Sequence, residues 1–330
     1  MANLKGKTVL ITGANGFVGG YLVPALCALD IGECHATYLA GQYPSAADRS
    51  EVTWHRLDIT DRSETARIIE SIRPDLVFHL AAQSHVPTAF SQPALTWAVN
   101  LQGTINLLDA TVYAKPDATF INVGTADAYG ASLREGRPVD EKTPFMPLNP
   151  YAASKASADL VAFQYAATTK LKVIRARPFN HSGPGQEEGF VLPAFAAQIA
   201  RIEAGLQAPS ISVGNLEGER DFLHVHDVVD AYLALAEKAP RIPSGTAFNI
   251  ASGKSVTMAY LLDSLLAESP STIRVEQDPS RLRPADIRRV SGNNSAIRSA
   301  TGWAPKHSVQ ELLRDLLAYW RTAIGGKGQS

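Results

Sequence analysis

The chain has 330 residues, room for two domains or one large α/β unit at about 100–200 residues per domain. Hydrophobic residues make up 45% and the formal net charge is -1, which argues against a nucleic-acid polyanion or an anionic membrane surface as the main partner. Cys27 and Cys34 have no CxxC or Cys/His ligand spacing, the start "MANLKGKTVLITG" carries no apolar leader, and no apolar run approaches the ~20 residues of a membrane span. These features predict a soluble cytoplasmic protein with free thiols and no metal site.

"TVLIT" (Thr8 to Thr12) reads as a buried strand and Phe17 to Leu29 as an amphipathic helix. Between and into them Gly13, Gly16 and Gly19 stand at GxxGxxG spacing. The first allows a tight turn, the second a close approach of backbone N–H groups to a pyrophosphate, and the third close helix–strand packing. The opening of the helix adds partial positive charge, so the turn with Asn15, Phe17 and Val18 predicts dinucleotide binding. Pro24 lies inside the helix, where proline costs about 3 kcal/mol, and a bend is expected.

"CHATYL" follows as a strand, then "ITDRSETARIIESI" as a helix with Thr60 as its expected N-cap. No Asp or Glu stands between Cys34 and Ala47 to hold a ribose 2'-hydroxyl, and Arg49 is the one candidate for a 2'-phosphate, so NADP is slightly favoured over NAD. "LVFHLA", a helix through "TWAVNLQGTINLLDATV" and the strand "TFINVG" complete an alternation that implies right-handed βαβ units and a parallel sheet.

A long helix is expected from Tyr151 to about Thr169, then the strand "KVIRAR". "PFNHSGPGQEEGF" reads as a Pro/Gly-rich loop, too long for a simple crossover and therefore a functional candidate. Helices follow at "LPAFAAQIARIEAG" and, with Asp227 as expected N-cap, at "VVDAYLALAEKA"; then come the strand "AFNIAS", helices around "MAYLLDSLLAES" and "VQELLRDLLAYWRTA", and between these two the loop "PSRLRPADIRRVSG".

Tyr151 and Lys155 are four apart and so share a helix face. A lone pair of this kind is commonly a packed aromatic beside a solvated amine. Next to a nicotinamide, the ammonium would favour tyrosinate and lower the phenol from ~10 toward working pH, making the tyrosine an acid/base for a carbonyl. Thr125 follows a predicted parallel strand at its carboxyl end, where open α/β sheets bind ligands.

In this order and spacing, "TGANGFVGGYL", "HLAAQSHV", "GTADAYG" and "YAASK" resemble the extended short-chain dehydrogenases/reductases of the nucleotide-sugar type, and the likeness runs on to "TGWAPK". "FNHSGPGQ" with "GFV", "ERDF" and "LRPAD" is most similar to the branch of GDP-mannose 4,6-dehydratases and GDP-4-keto-6-deoxymannose reductases, the reductases matching better. The resemblance implies an α/β fold, a Rossmann-type doubly wound parallel sheet with a smaller, mostly C-terminal α/β substrate domain. Residues 1–177 plus about 222–255 would bind the dinucleotide, and 178–221 plus about 256–330 the nucleotide sugar.

It further implies Tyr151 as acid/base, Lys155 as its partner on the nicotinamide ribose, and Thr125 as the third member. Asp58 and Ile59 would flank the adenine, Leu80, Ala81 and Ala82 line the cleft, Asn100 serve as a structural or relay residue and Pro178 border the nicotinamide. Asn180, Val191, Asn215, Arg220, Arg283 and Asp286 would hold the GDP moiety. A homodimer is implied, packing the helix after Tyr151 and the helix from Trp97 to Leu108 on their symmetry mates.

Dehydratases of this group carry glutamate two residues after the threonine, as the base at C5. Here Asp127 stands there, and a shortfall of about 1 Å can cost ~100-fold in positioned chemistry. The expectation is NAD(P)H-dependent reduction of the C4 ketone of GDP-4-keto-6-deoxy-D-mannose to GDP-D-rhamnose or its C4 epimer. Dehydration, epimerisation and a non-catalytic dinucleotide sensor remain alternatives. His224 and His226 at HxH spacing lack an assignable third ligand and are expected beside a helix cap. Among the loop arginines, Arg283, with Arg220 from another segment, is expected on the diphosphate, and Arg281, Arg288 and Arg289 at the surface.

Overall fold

A computed structural model describes residues 2–41, 51–279 and 287–326. Apolar runs buried on both faces build its central sheet: β1 (Val9–Thr12) and β4 (Leu76–His79) bury every side chain, and β5 (Thr119–Val123) all but the last. With β2 (Cys34–Tyr38), β3 (Val52–Arg56), β6 (Lys172–Pro178) and β10 (Ala247–Ile250) they form seven parallel strands, in the order β10-β6-β5-β4-β1-β2-β3. This is the Rossmann-type sheet with one further strand, and its order reverses between β1 and β4, where such sheets open a ligand crevice. The sequence reading misses β3, because this edge strand buries only Val52 and so has no apolar run.

α1 (Gly19–Cys27) and α8 (Val225–Lys238) cover one face of the sheet. α2 (Arg62–Ile72), α5 (Gly103–Ala114) and α6 (Pro150–Thr168) cover the other. α1 continues through Pro24, whose carbonyl accepts from Ala28 N. α3 (Val86–Ser91) and α4 (Pro93–Trp97) lead through a π-helical turn, Ala98–Gln102, into α5.

Two expected caps are corrected. α2 is capped by Asp61, which accepts from Glu64 N at 2.9 Å, while Thr60 folds back on Asp58 through its N–H and hydroxyl. α8 starts earlier than expected, with His224 as cap accepting from His226 N at 3.1 Å. Asp227 lies in its first turn, fully buried, and accepts from Lys306 N and His307 N, so backbone donors of a distant segment claim the carboxylate.

The second layer is built from β7 (Asn180–Ser182), β9 (Glu219–His224) and β11 (Ser255–Thr257) as one small sheet, and β8 (Ser210–Val213) with β12 (Arg274–Gln277) as another. β7 thus occupies part of the expected loop. α7 (Val191–Glu203), α9 (Met258–Ala267) and α11 (Val309–Gly325) share a core with β8. The chain then departs from the expected division, because α10 (Ser295–Thr301) and Trp303 return to the core of the central sheet. Among the described residues no helix is long and apolar enough to cross a membrane.

Candidate active site

The glycine turn leaves β1 with Gly13 at φ +67, and a Cβ there would stand 2.7 Å from the backbone N and Cα of Ala81 at the end of β4. A Cβ on Gly19 would meet Ala14 O at 2.3 Å, whereas Gly16 has only Gly13 O nearby, at 3.3 Å. The turn is therefore closed on its sheet side and open toward the crevice. No side chain caps α1; Gly16, Gly20 and Tyr21 donate their N–H groups to backbone carbonyls of the turn itself, and the open side of the cradle fits a pyrophosphate.

The crevice is a cavity of about 1970 Å³ lined by Gly13, Asn15, Gly16, Phe17, Val18, Gly19, Asp58, Ile59, Leu80, Ala81, Ala82, Thr125, Asp127, Tyr151, Lys155 and Pro178. Asn180, Val191, Asn215 and Arg220 line the same space from the second layer. Asn100 is the exception. It is fully buried behind the wall, where its amide binds the backbone of Gln83 and Ser154 Oγ. Arg49, Arg281, Arg283 and Asp286 lie outside the described residues. Arg220 donates from Nη1 to Ile287 O at 2.9 Å, and Arg289 lies at the surface as expected, paired there with Glu219.

The chemistry-bearing side chains are set by local signals. Asn149 caps α6 by accepting from Ala152 N at 2.8 Å and Pro150 takes the first helical position, which places Tyr151 in the opening turn and Lys155 one turn on. Thr125 caps the short helical segment after β5, and its Oγ1 accepts from Asp127 N at 3.2 Å. That contact leaves the Thr125 hydroxyl proton for Tyr151, with which it hydrogen-bonds.

Burial and then the Asp127 carboxylate push the Tyr151 phenol above its ordinary value, against a smaller opposing effect of Thr125. In the protein alone, then, desolvation and Asp127 set the phenol high; the expected lowering belongs to the state with a nicotinamide beside it. Lys155, 3% exposed, is brought down to about 8 by burial, with Asp159 working in the opposite direction. Asp159 lies a further turn along α6 and holds Arg175 at 2.6 Å and Arg177 at 2.9 Å.

Sequence reasoning missed Tyr232 and His181, both of which line the cavity. Tyr232 reaches it from α8, and no local motif marks that position. His181 sits within the quoted "FNHSGPGQ", which was the available signal. The HxH pair gains an unforeseen partner: the rings of His224, His226 and His307 stack at 5.1, 4.7 and 5.8 Å. Among the described residues no group of three or more His, Cys, Asp or Glu could hold a metal.

Residues 10–316 match the family model of GDP-mannose 4,6 dehydratase. The chain belongs to the GDP-mannose 4,6-dehydratase family. Within that family, it is 35% identical to GDP-6-deoxy-D-mannose reductase of Pseudomonas aeruginosa over 318 residues, covering 96% of this chain and 98% of the relative. It is 29% identical to GDP-mannose 4,6 dehydratase 2 of Caenorhabditis elegans, covering 94% of this chain and 88% of that one. The structure of RMD from Pseudomonas aeruginosa complexed with NADPH superposes with a TM-score of 0.82 at 34% identity, covering 96% and 99% of the two chains. The glycine turn and the Thr125, Tyr151 and Lys155 group all fall inside the span matched by the family model.

Proposed function

We propose that this member of the family is an NAD(P)H-dependent ketoreductase that converts GDP-4-keto-6-deoxy-D-mannose to GDP-D-rhamnose or its C4 epimer. The observation that carries the reading is a tyrosine held in its acid form beside Thr125 and Asp127, at the open end of a dinucleotide cradle. Its similarity to a GDP-6-deoxy-D-mannose reductase over nearly the whole chain supports the substrate class, and its likeness to structures complexed with NADPH and with NAD supports a nicotinamide dinucleotide.

When bound, the nicotinamide supplies the hydride for C4. The chain does the rest. Gly13 to Gly19 receive the pyrophosphate, Asp58 and Ile59 flank the adenine, and Lys155 holds the nicotinamide ribose. Thr125, donating to Tyr151 Oη, orients the phenol, and Tyr151 Oη gives the ketone oxygen a proton. Asn180, Val191, Asn215 and Arg220 hold the GDP, so the sugar nucleotide lies against the second layer and the dinucleotide against the central sheet. Burial and then Asp127 raise the Tyr151 phenol, which suits a step that consumes a proton, and as an aspartate, residue 127 reaches less far toward C5 than a glutamate would.

Dehydration is the second reading, favoured by the acid that remains at 127. The two differ in cofactor balance. The reductase oxidises one NADPH per 4-keto sugar and leaves GDP-mannose unchanged; turnover of GDP-mannose at constant NADPH would establish dehydration instead. Failure to turn over any nucleotide sugar, despite tight NADPH binding, would point to a sensor.

Lys155 sets a pH limb. With its value lowered to about 8, the ammonium is present below that pH and lost above it, so NADPH affinity is expected to fall as pH rises through about 8. A titration of nicotinamide fluorescence against pH checks this, and constant affinity up to the ordinary lysine range of ~10.4 would refute it.

The homodimer belongs to the same proposal. α6 leaves Leu160 and Phe163 exposed, and Phe90 and Trp97 on α3 and α4 are exposed beside it, which suits burial against a second copy. Leu160→Arg is expected to halve the mass seen by light scattering, and an unchanged mass argues against this face.

A further inference from the structure

His79 ends β4 and is completely buried, yet no step assigned above uses it. Both ring nitrogens are engaged: Nδ1 lies 2.8 Å from Thr12 Oγ1 and Nε2 lies 2.9 Å from Thr104 Oγ1. The neighbours decide which nitrogen carries the proton. Thr104 Oγ1 is 2.7 Å from Asn100 O, and a carbonyl only accepts, so the threonine spends its single proton there. It must then accept from His79, which puts the imidazole proton on Nε2. Nδ1 is left as an acceptor and takes the proton of Thr12 Oγ1, whose lone pairs receive Ala81 N–H at 3.3 Å.

Both ends of this chain reach the site. Ala81 is the residue whose backbone stands 2.7 Å from the Cβ position of Gly13, so it sets the floor under the glycine turn. Asn100, in the π-helical turn, donates from Nδ2 to Ser154 Oγ at 2.9 Å, and Ser154 Oγ donates to Tyr151 O at 2.8 Å. The same amide grips both backbone groups of Gln83, two residues beyond Ala81. Every hydrogen bond has one donor and one acceptor in a single consistent direction.

We propose that His79 is a positioning residue which, as a neutral imidazole protonated on Nε2, ties the floor of the dinucleotide cleft at Thr12 and Ala81 to Asn100, and so to the turn that carries Tyr151. The proposal rests on the reductase reading for what is positioned, though the bonding pattern stands without it. Burial and the nearby Lys155 ammonium hold the ring far down, at about 3, so it stays neutral at every working pH. A second proton, on Nδ1, would set an N–H against the Thr12 hydroxyl proton and remove the acceptor that Thr12 now has, while the Thr104 contact would not change.

Nitrogen-15 NMR of the histidine-labelled protein tests the assignment without any turnover. One imidazole is expected with a protonated Nε2 and an unprotonated Nδ1, unchanged between about pH 5 and 8, where ordinary histidines titrate. A proton on Nδ1, or titration in that range, overturns the proposal.

Two variants then divide its arms. His79→Gln places an amide near Nε2 and keeps the Thr104 arm; His79→Asn places one near Nδ1 and keeps the Thr12 arm. The glutamine variant is expected to weaken NADPH binding about tenfold with kcat largely kept, and the asparagine variant to lose about tenfold in kcat with NADPH binding largely kept, the scale of one buried hydrogen bond. Equal losses in both variants would mark a purely structural histidine and refute positioning. If the wild-type protein binds no NADPH, the functional reading fails, while the NMR tautomer still decides His79.

Discussion

Tyr151→Phe is expected to lower kcat by about 10²–10⁴-fold, the usual weight of a positioned proton donor, with NADPH affinity little changed. The phenol supplies a proton and no part of the pyrophosphate cradle, so its removal separates chemistry from binding. Because burial and Asp127 raise the phenol, the wild-type acid form persists through neutral pH, and the alkaline fall in activity belongs to Lys155 near 8. Steady-state kinetics on the 4-keto sugar beside a fluorescence titration of NADPH measures both quantities. Retention of more than about a tenth of kcat would remove Tyr151 from its assigned role.

Asp159→Asn is expected to cost about 3–5 kcal/mol of stability, as when one partner of a buried ion pair is deleted. Asp159 is 1% exposed and faces two guanidinium groups, Arg175 through Nη1 and Arg177 through Nε and Nη2. An amide cannot neutralise either charge. Arg177 also donates to Tyr129 Oη, and Tyr129 to Asn249 Oδ1, so the loss spreads into a buried polar network joining α6 to β10. Denaturant unfolding reads the cost, and a change below about 1 kcal/mol would show that the network tolerates the loss. A second consequence tests the electrostatics. Asp159 is the carboxylate that holds Lys155 up, so in the variant the alkaline limb of NADPH binding should move below pH 8.

The glycine turn and the Tyr151/Lys155 pair were legible because their signals are local. Gly13 needs positive φ, Gly19 needs the absence of a Cβ, and Asn149 with Pro150 starts the helix that carries the pair. Thr125 was placed by the same logic, as the residue following a buried strand. The caps of α2 and α8 were misjudged by one or more residues, since several polar side chains compete for each helix start and only their distant partners settle the competition. Asp227 shows this directly: its carboxylate serves the segment at Lys306 and His307, far along the chain.

The sequence by itself determined the parallel sheet, the glycine turn and the shared helix face of Tyr151 and Lys155, because each rests on spacing within strands, a turn or a helix, and it determined the family through motifs whose order runs along nearly the whole chain. Only the tertiary structure decided the state of those groups. Whether Tyr151 sits above or below its ordinary value depends on burial and on Asp127, and where Lys155 titrates depends on Asp159 and the wall around it. His79, in "HLAAQSHV", and Asn100 became connected only when the end of β4 met the start of α5, whose Thr104 lies between them. Protonation and proton direction are properties of the surroundings, and a linear pattern cannot hold them until the chain has closed around each group.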